Sequence, residues 1–145
     1  MAVALVIPTL HVRAAIRPVS TYGGQLAVPT DPAEVGWWTG GALPGSASGT
    51  VVLDGHVDSA TAGPGALLRL VDLQPGDNVT LVTDDHQQLT YAVAARRVYA
   101  KAGNLPADLF ARTGPPRLVL ITCGGPFDSA TGSYQDNVVV FATPT

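Results

Sequence analysis

Short runs of valine, leucine, isoleucine and threonine recur along this chain, and each is cut off within a few residues by glycine or proline. With 16 glycines and 12 prolines in 145 residues, no long amphipathic helix stands out. This is the pattern of many short strands joined by tight turns, an all-β sandwich or barrel. The strongest strand signals are residues 50–53, 118–121 and 137–142, together with 78–83 and 88–98 around the polar turn Asp84-Asp85-His86-Gln87. A weaker strand at 11–17, ending at Pro18, is expected to form a first hairpin with 25–28. One helical turn is predicted at 31–35, with Asp31 as cap and Pro32 at the first helical position, and further short helices within 66–73 and at 105–110. Gln74-Pro75-Gly76-Asp77 is a turn, and the Trp37-Trp38 pair reads as core or loop-anchoring mass.

A chain of this length buries roughly 70% of the surface that its unfolded form exposes, so residues 1–145 are read as one domain that needs neither disulfide nor structural metal. There is no internal repeat or charge block. Charged residues are 13% of the chain, about half the usual share, and the net charge is −3 with no basic cluster, which argues against a nucleic-acid partner. The apolar opening, residues 1–7, is stopped by Pro8, far short of the roughly 20 residues that span a bilayer. Any membrane anchor is expected to have been cut away before it.

Cys123 is the only cysteine, so no intrachain disulfide forms. It follows the buried run Leu118-Val119-Leu120-Ile121 and precedes Gly124-Gly125, where the strand is expected to end in a sharp turn. Such a place suits a side chain presented to a cleft, although most lone cysteines are small hydrophobes of the core, and this stretch alone favours neither use. A nucleophilic cysteine acts as its thiolate, most often with a histidine nearby. Of three histidines, His11 lies in a weak strand and His86 at a polar turn, whereas His56 follows a strong strand and a glycine, as the cysteine nearly does. His56, Asp58 and Cys123 are zinc-competent types, but no second close-spaced ligand pair accompanies them. Asp54, Asp58, Asp84 and Asp85 form no evident calcium cage and read as turn and capping residues. Neither metal nor cofactor is expected.

Leu120-Ile121-Thr122-Cys123 resembles the signature that ends in the nucleophilic cysteine of sortases, and Asp54-Gly55-His56-Val57-Asp58 is similar to the histidine motif of the same family. The likeness extends through Gly36-Trp37-Trp38, 73–77 and 134–141, and is nearest to the class E and F sortases of Gram-positive actinobacteria. The resemblance implies an eight-stranded β-barrel with short helices in the connections. It also implies a cysteine transpeptidase on the outer face of the cell membrane, cleaving an LPXTG-type sorting signal between Thr and Gly. Cys123 would be the nucleophile and His56 the proton carrier, with Thr122 and Gly124 beside the substrate. The acceptor would be an amine of a peptidoglycan precursor or a pilin. Sortases carry an arginine on the strand after the cysteine; twelve positions after Cys123 this chain has Gln135, and Arg69, Arg112 and Arg117 lie before the cysteine. A glutamine has one NH2 group where arginine has five donors and a charge, so strongly reduced activity is expected. A sortase-like module that only binds sorting signals, and a thiol hydrolase, are the alternatives.

Overall fold

A computed structural model of the chain describes residues 2–19, 21–22, 25–26, 34–55, 58–59, 63–64, 72–100, 113–128 and 133–145; of these, 21–22, 25–26, 58–59, 63–64, 98–100, 122–128 and 133–137 are described by their backbone alone. Among the described residues there are twelve strands: β1 Ala2–Ile7, β2 Val12–Val19, β3 Thr21–Tyr22, β4 Gln25–Leu26, β5 Val35–Trp38, β6 Thr50–Gly55, β7 Asp58–Ser59, β8 Gly63–Pro64, β9 Asn78–Thr83, β10 Gln88–Ala100, β11 Arg117–Asp128 and β12 Ser133–Pro144. Eight of them close into a barrel in the order β1-β2-β5-β6-β11-β12-β10-β9, while β3-β4 and β7-β8 form two small hairpins. The pairs β2-β5 and β6-β11 are parallel, and the other barrel pairs are antiparallel. Closure leaves the barrel without the free edges at which strands of separate molecules could pair.

Side chains alternate across each strand, and the burial pattern follows that alternation. Leu5, Ile7, Val35, Trp37, Val51, Leu53, Val79, Leu81, Leu118, Leu120, Val138 and Val140 belong to the main buried cluster. At the centres of β6, β11 and β12 the intervening positions are apolar as well. Val52, Val119, Ile121 and Val139 form a second buried cluster with Trp38, against which Phe141 packs. Strands buried on both faces need continuous apolar runs, which is why Leu118-Val119-Leu120-Ile121 lacks the polar alternation of a half-buried strand. The Trp pair divides between the two layers: Trp37 donates its indole N–H to the carbonyl of Ala42 at 3.2 Å, and Trp38 joins the second cluster.

The second layer also contains a close backbone approach. A Cβ on Gly36 would lie 2.5 Å from Asp54 Oδ1 and 2.8 and 2.9 Å from the methyls of Val19. Gly36→Ala is therefore expected to lower stability by about 1–3 kcal/mol through overpacking, read as a shift of the denaturant midpoint. An unchanged midpoint would mean that Asp54 and Val19 give way freely.

Several expectations are corrected by the pairing. The opening run 2–7 is a barrel strand: β2 pairs with β1 on one side and β5 on the other, so the expected hairpin of 11–17 with 25–28 does not form. The 3-10 turn Pro8–Leu10 closes the β1-β2 hairpin, with His11 at φ 55. Pro8 ends the first strand without ending the structure, because the missing N–H falls in the turn. Gly124-Gly125 does not turn the chain; β11 runs through it to Asp128, and β12 begins at Ser133, four residues before the expected start. Val35 begins a strand, and the other residues of the helices predicted at 31–35, 66–73 and 105–110 lie largely outside the described residues. The two predicted turns form as read. Gly76 has φ 94, with the Asp77 amide bonded to the Gln74 carbonyl at 3.0 Å. In the second turn Thr83 Oγ1 donates to Asp85 and accepts from the Gln87 amide.

Candidate functional site

The strands β6, β11 and β12 lie side by side, and β11 and β12 hold Thr122, Cys123, Gly124 and Gln135. β6 and β11 run parallel with Leu120 opposite Leu53, Ile121 opposite Asp54 and Thr122 opposite Gly55. Cys123 is the next residue of β11 and is thus inside a strand rather than at its end. The residue that follows Gly55 is His56, which lies outside the described residues. His11 and His86 are exposed and occupy left-handed turn positions, φ 55 and 65, in the β1-β2 and β9-β10 connections. Histidine tolerates that backbone region better than most residues, which gives both a structural use.

On its other side β11 pairs antiparallel with β12. Cys123 stands opposite Asn137, and Gly124 opposite Asp136. The next pair is Phe127 with Tyr134, so the register shifts: Gly125 and Pro126 together oppose the single residue Gln135. This is the two-against-one count of a β-bulge, a device that bends a strand and is frequent beside active sites. The motif resemblance points to Gln135, twelve positions after Cys123; the register adds Asn137 as the residue directly across from the cysteine. No pattern in the sequence reveals this, because the pairing depends on where the β11-β12 connection ends. Thr122 and Gly124 flank Cys123 on β11.

Of the other arginines, Arg117 is six residues upstream of Cys123 on the same strand, about 20 Å away at the strand rise. It donates from Nε to Thr50 Oγ1 at 2.9 Å and lies over the Phe141 ring, 5.7 Å from its centroid. Arg117 thus ties together the far end of these strands. Arg69 and Arg112 lie outside the described residues.

Asp54, read from the sequence as a turn or capping residue, is instead inside β6 and 4% exposed, and its Oδ1 has no hydrogen-bond partner among the described residues. Removal from water disfavours the charged form and pushes its carboxyl up to about 7, with a smaller opposing effect from its own backbone amide. Among the described residues no group of His, Cys, Asp and Glu is arranged to hold a metal ion. No helix among them is long and apolar enough to cross a membrane.

Comparison with known proteins places these features in a family. A family model described as Sortase domain matches residues 5–145. Sequence comparison with curated proteins finds no match. Similar solved structures include a sortase C-1 from Actinomyces oris, 27% identical with a TM-score of 0.73, covering 100% of this chain and 75% of that one. A lid mutant of sortase A from Corynebacterium diphtheriae is 24% identical with a TM-score of 0.73, covering 99% of this chain and 69% of its own. A Clostridium perfringens protein described as a sortase D5 transpeptidase is 19% identical with a TM-score of 0.70, covering 99% and 78%. These neighbours are of classes A, C and D, and the nearer likeness to classes E and F expected from the motifs is not among them.

Proposed function

The chain belongs to the sortase family, and on that premise we propose that residues 1–145 are the extracellular catalytic domain of a class E- or F-like cysteine transpeptidase that acts on an LPXTG-type sorting signal. The observation that carries this reading is the parallel register of β6 and β11, with Thr122 opposite Gly55. Paired strands are about 4.8 Å apart, and one peptide unit adds at most 3.8 Å on each. Chain connectivity alone therefore keeps the Cα atoms of His56 and Cys123 within about 12 Å of each other.

The chemistry balances with these two groups. The Cys123 thiolate attacks the threonine carbonyl carbon, and a C–S bond forms as the Thr-Gly C–N bond breaks. The His56 imidazolium gives its proton to the leaving amine. An amine from a peptidoglycan precursor or a pilin then attacks the thioester, gives a proton to His56 and releases the thiolate. Thr122 and Gly124 flank the nucleophile, and the Gly124 amide is a candidate donor to the oxyanion. Neither Gln135 nor Asn137 supplies a guanidinium, so turnover is slow. The full-length protein is anchored in the membrane and requires no cofactor.

The missing guanidinium also favours a second reading, a barrel that binds sorting signals with catalysis nearly lost. Product analysis with an LPXTG-type peptide separates the possibilities. Cleavage between Thr and Gly, with transfer to added amine and none in Cys123→Ala, is the expected result. Release of free acid even with excess amine would make the chain a thiol hydrolase. Peptide binding without cleavage would support the binding module.

A further inference from the structure

Beyond β11 the barrel continues through β12 to β10, and the pairing of these strands brings an arginine to the neighbourhood of Cys123. Ile121, Val139 and Arg97 are paired in succession and form one row across the three strands. The next row runs through Cys123, Asn137 and Tyr99. Paired residues and residues two apart along a strand share a face, so positions 97 and 123 lie on the same face of the sheet. Two strand spacings and a two-residue step put their Cα atoms about 12 Å apart. Ile121 and Val139 are buried in the second apolar layer, whereas Arg97 is exposed. Most of the other described arginines are in use. Arg96, on the opposite face, donates from Nη1 to the Leu73 carbonyl at 2.7 Å, Arg117 is bonded to Thr50, and Arg17 is paired with Glu34. Arg13 and Arg97 have no partner among the described residues, and Arg13 is on β2, which adjoins none of β11, β12 and β10. Exposure alone is ordinary for arginine. What sets Arg97 apart is its place, a free cation one row from the cysteine in a chain with only 13% charged residues.

We propose that Arg97 is a specificity-determining residue that binds a carboxylate of the peptide substrate, so that the chain favours sorting signals with Asp or Glu close to the scissile bond. This inference rests on the reading that the face around Cys123 receives such a peptide. A guanidinium offers a planar fork of donors that matches a carboxylate in a bidentate pair. An extended peptide advances about 3.3 Å per residue. A peptide whose scissile carbonyl lies at Cys123 and which crosses β12 toward β10 therefore comes level with Arg97 within about four residues. At that distance Arg97 is placed for a neighbouring residue of the peptide and not for the carbonyl under attack, so the lack of a guanidinium at positions 135 and 137 stands. The pair is open to water, which limits its worth to about five-fold in affinity.

The test uses pairs of LPXTG-type peptides that differ only by Asp or Asn at one position, scanned over about four residues on each side of the Thr-Gly bond. Binding is read by fluorescence anisotropy in a Cys123→Ala background, where no turnover is needed, and acylation by intact mass with Cys123 present. At one of these positions the Asp peptide is expected to bind about five-fold more tightly than the Asn peptide. Arg97→Gln is expected to abolish that preference and Arg97→Glu to turn it toward a Lys peptide, while Arg13→Gln, which removes the same charge from β2, retains it. No preference at any position, a preference that survives Arg97→Gln, or an equal loss in Arg13→Gln overturns the proposal. Acylation without an Asp preference overturns this inference alone and leaves the transpeptidase standing. An Arg97-dependent preference without any adduct supports the inference and moves the chain to the binding module. Peptides that neither bind nor react overturn both.

Discussion

Asn137→Arg is expected to speed acylation of Cys123 by a sorting-signal peptide about 100-fold, and by more than Gln135→Arg does. The reason is register. Residues directly opposite on antiparallel strands have Cβ atoms about 4.5–5.5 Å apart on the same face, whereas diagonal neighbours are about 7–8 Å apart. Asn137 is directly opposite Cys123, while Gln135 is displaced toward the bulge at Gly125-Pro126. Arginine brings five donors and a fixed charge to the developing oxyanion, where asparagine and glutamine each bring one NH2 group. Time courses of intact mass for the native chain, the two single variants and the double variant give the ranking. A larger gain in Gln135→Arg would return the missing group to position 135. No gain in either would mean that the lack of arginine does not limit the rate.

Stability is expected to fall as pH rises from 5 to 8, and Asp54→Asn to remove about 3 kcal/mol of that slope. The sign follows from proton binding. The unfolded chain ionises this residue near 3.8, while the folded chain holds the proton until about 7. Between those values the native state binds more protons than the unfolded state, so the stabilising contribution, complete below the unfolded value, is lost as pH climbs to the folded one. Above about 7 the folded state must either carry a buried charge or give way. Denaturant midpoints at pH 5, 6.5 and 8 measure the slope in both chains; equal slopes would show that Asp54 is ionised and solvated at neutral pH. The absolute stabilities are less informative, since the asparagine amide must itself be satisfied.

Much of the barrel is visible in the sequence because its strands are bounded by turn residues. Asn78–Thr83 and Gln88–Ala100 fall where alternation and the polar turn place them, and the apolar runs at 50–53 and 118–121 are the strands buried on both faces. What the sequence conceals is pairing. Residues 2–7 read only as an apolar stretch too short to span a bilayer until β2 and β9 are seen to flank them. Gly124-Gly125 looks like a strand end, yet cross-strand bonds to β12 carry β11 through it, and the flexibility of glycine is spent on a bulge. The cysteine and histidine motifs are legible because their residue types carry the chemistry. Asn137 and Asp54 are not, since the asparagine reads only as the start of the last strand and the aspartate as a turn or capping residue until register and burial are known.

The account depends most on Cys123 being an acyl-transfer nucleophile. The direct measurement is the intact mass of the native chain after incubation with an LPXTG-type peptide without amine, followed by mapping of the modified residue. The account predicts a thioester adduct of the peptide's acyl portion on Cys123, discharged by added amine, and no adduct in Cys123→Ala. An unmodified chain under conditions where Asn137→Arg and Gln135→Arg also stay unmodified would contradict it.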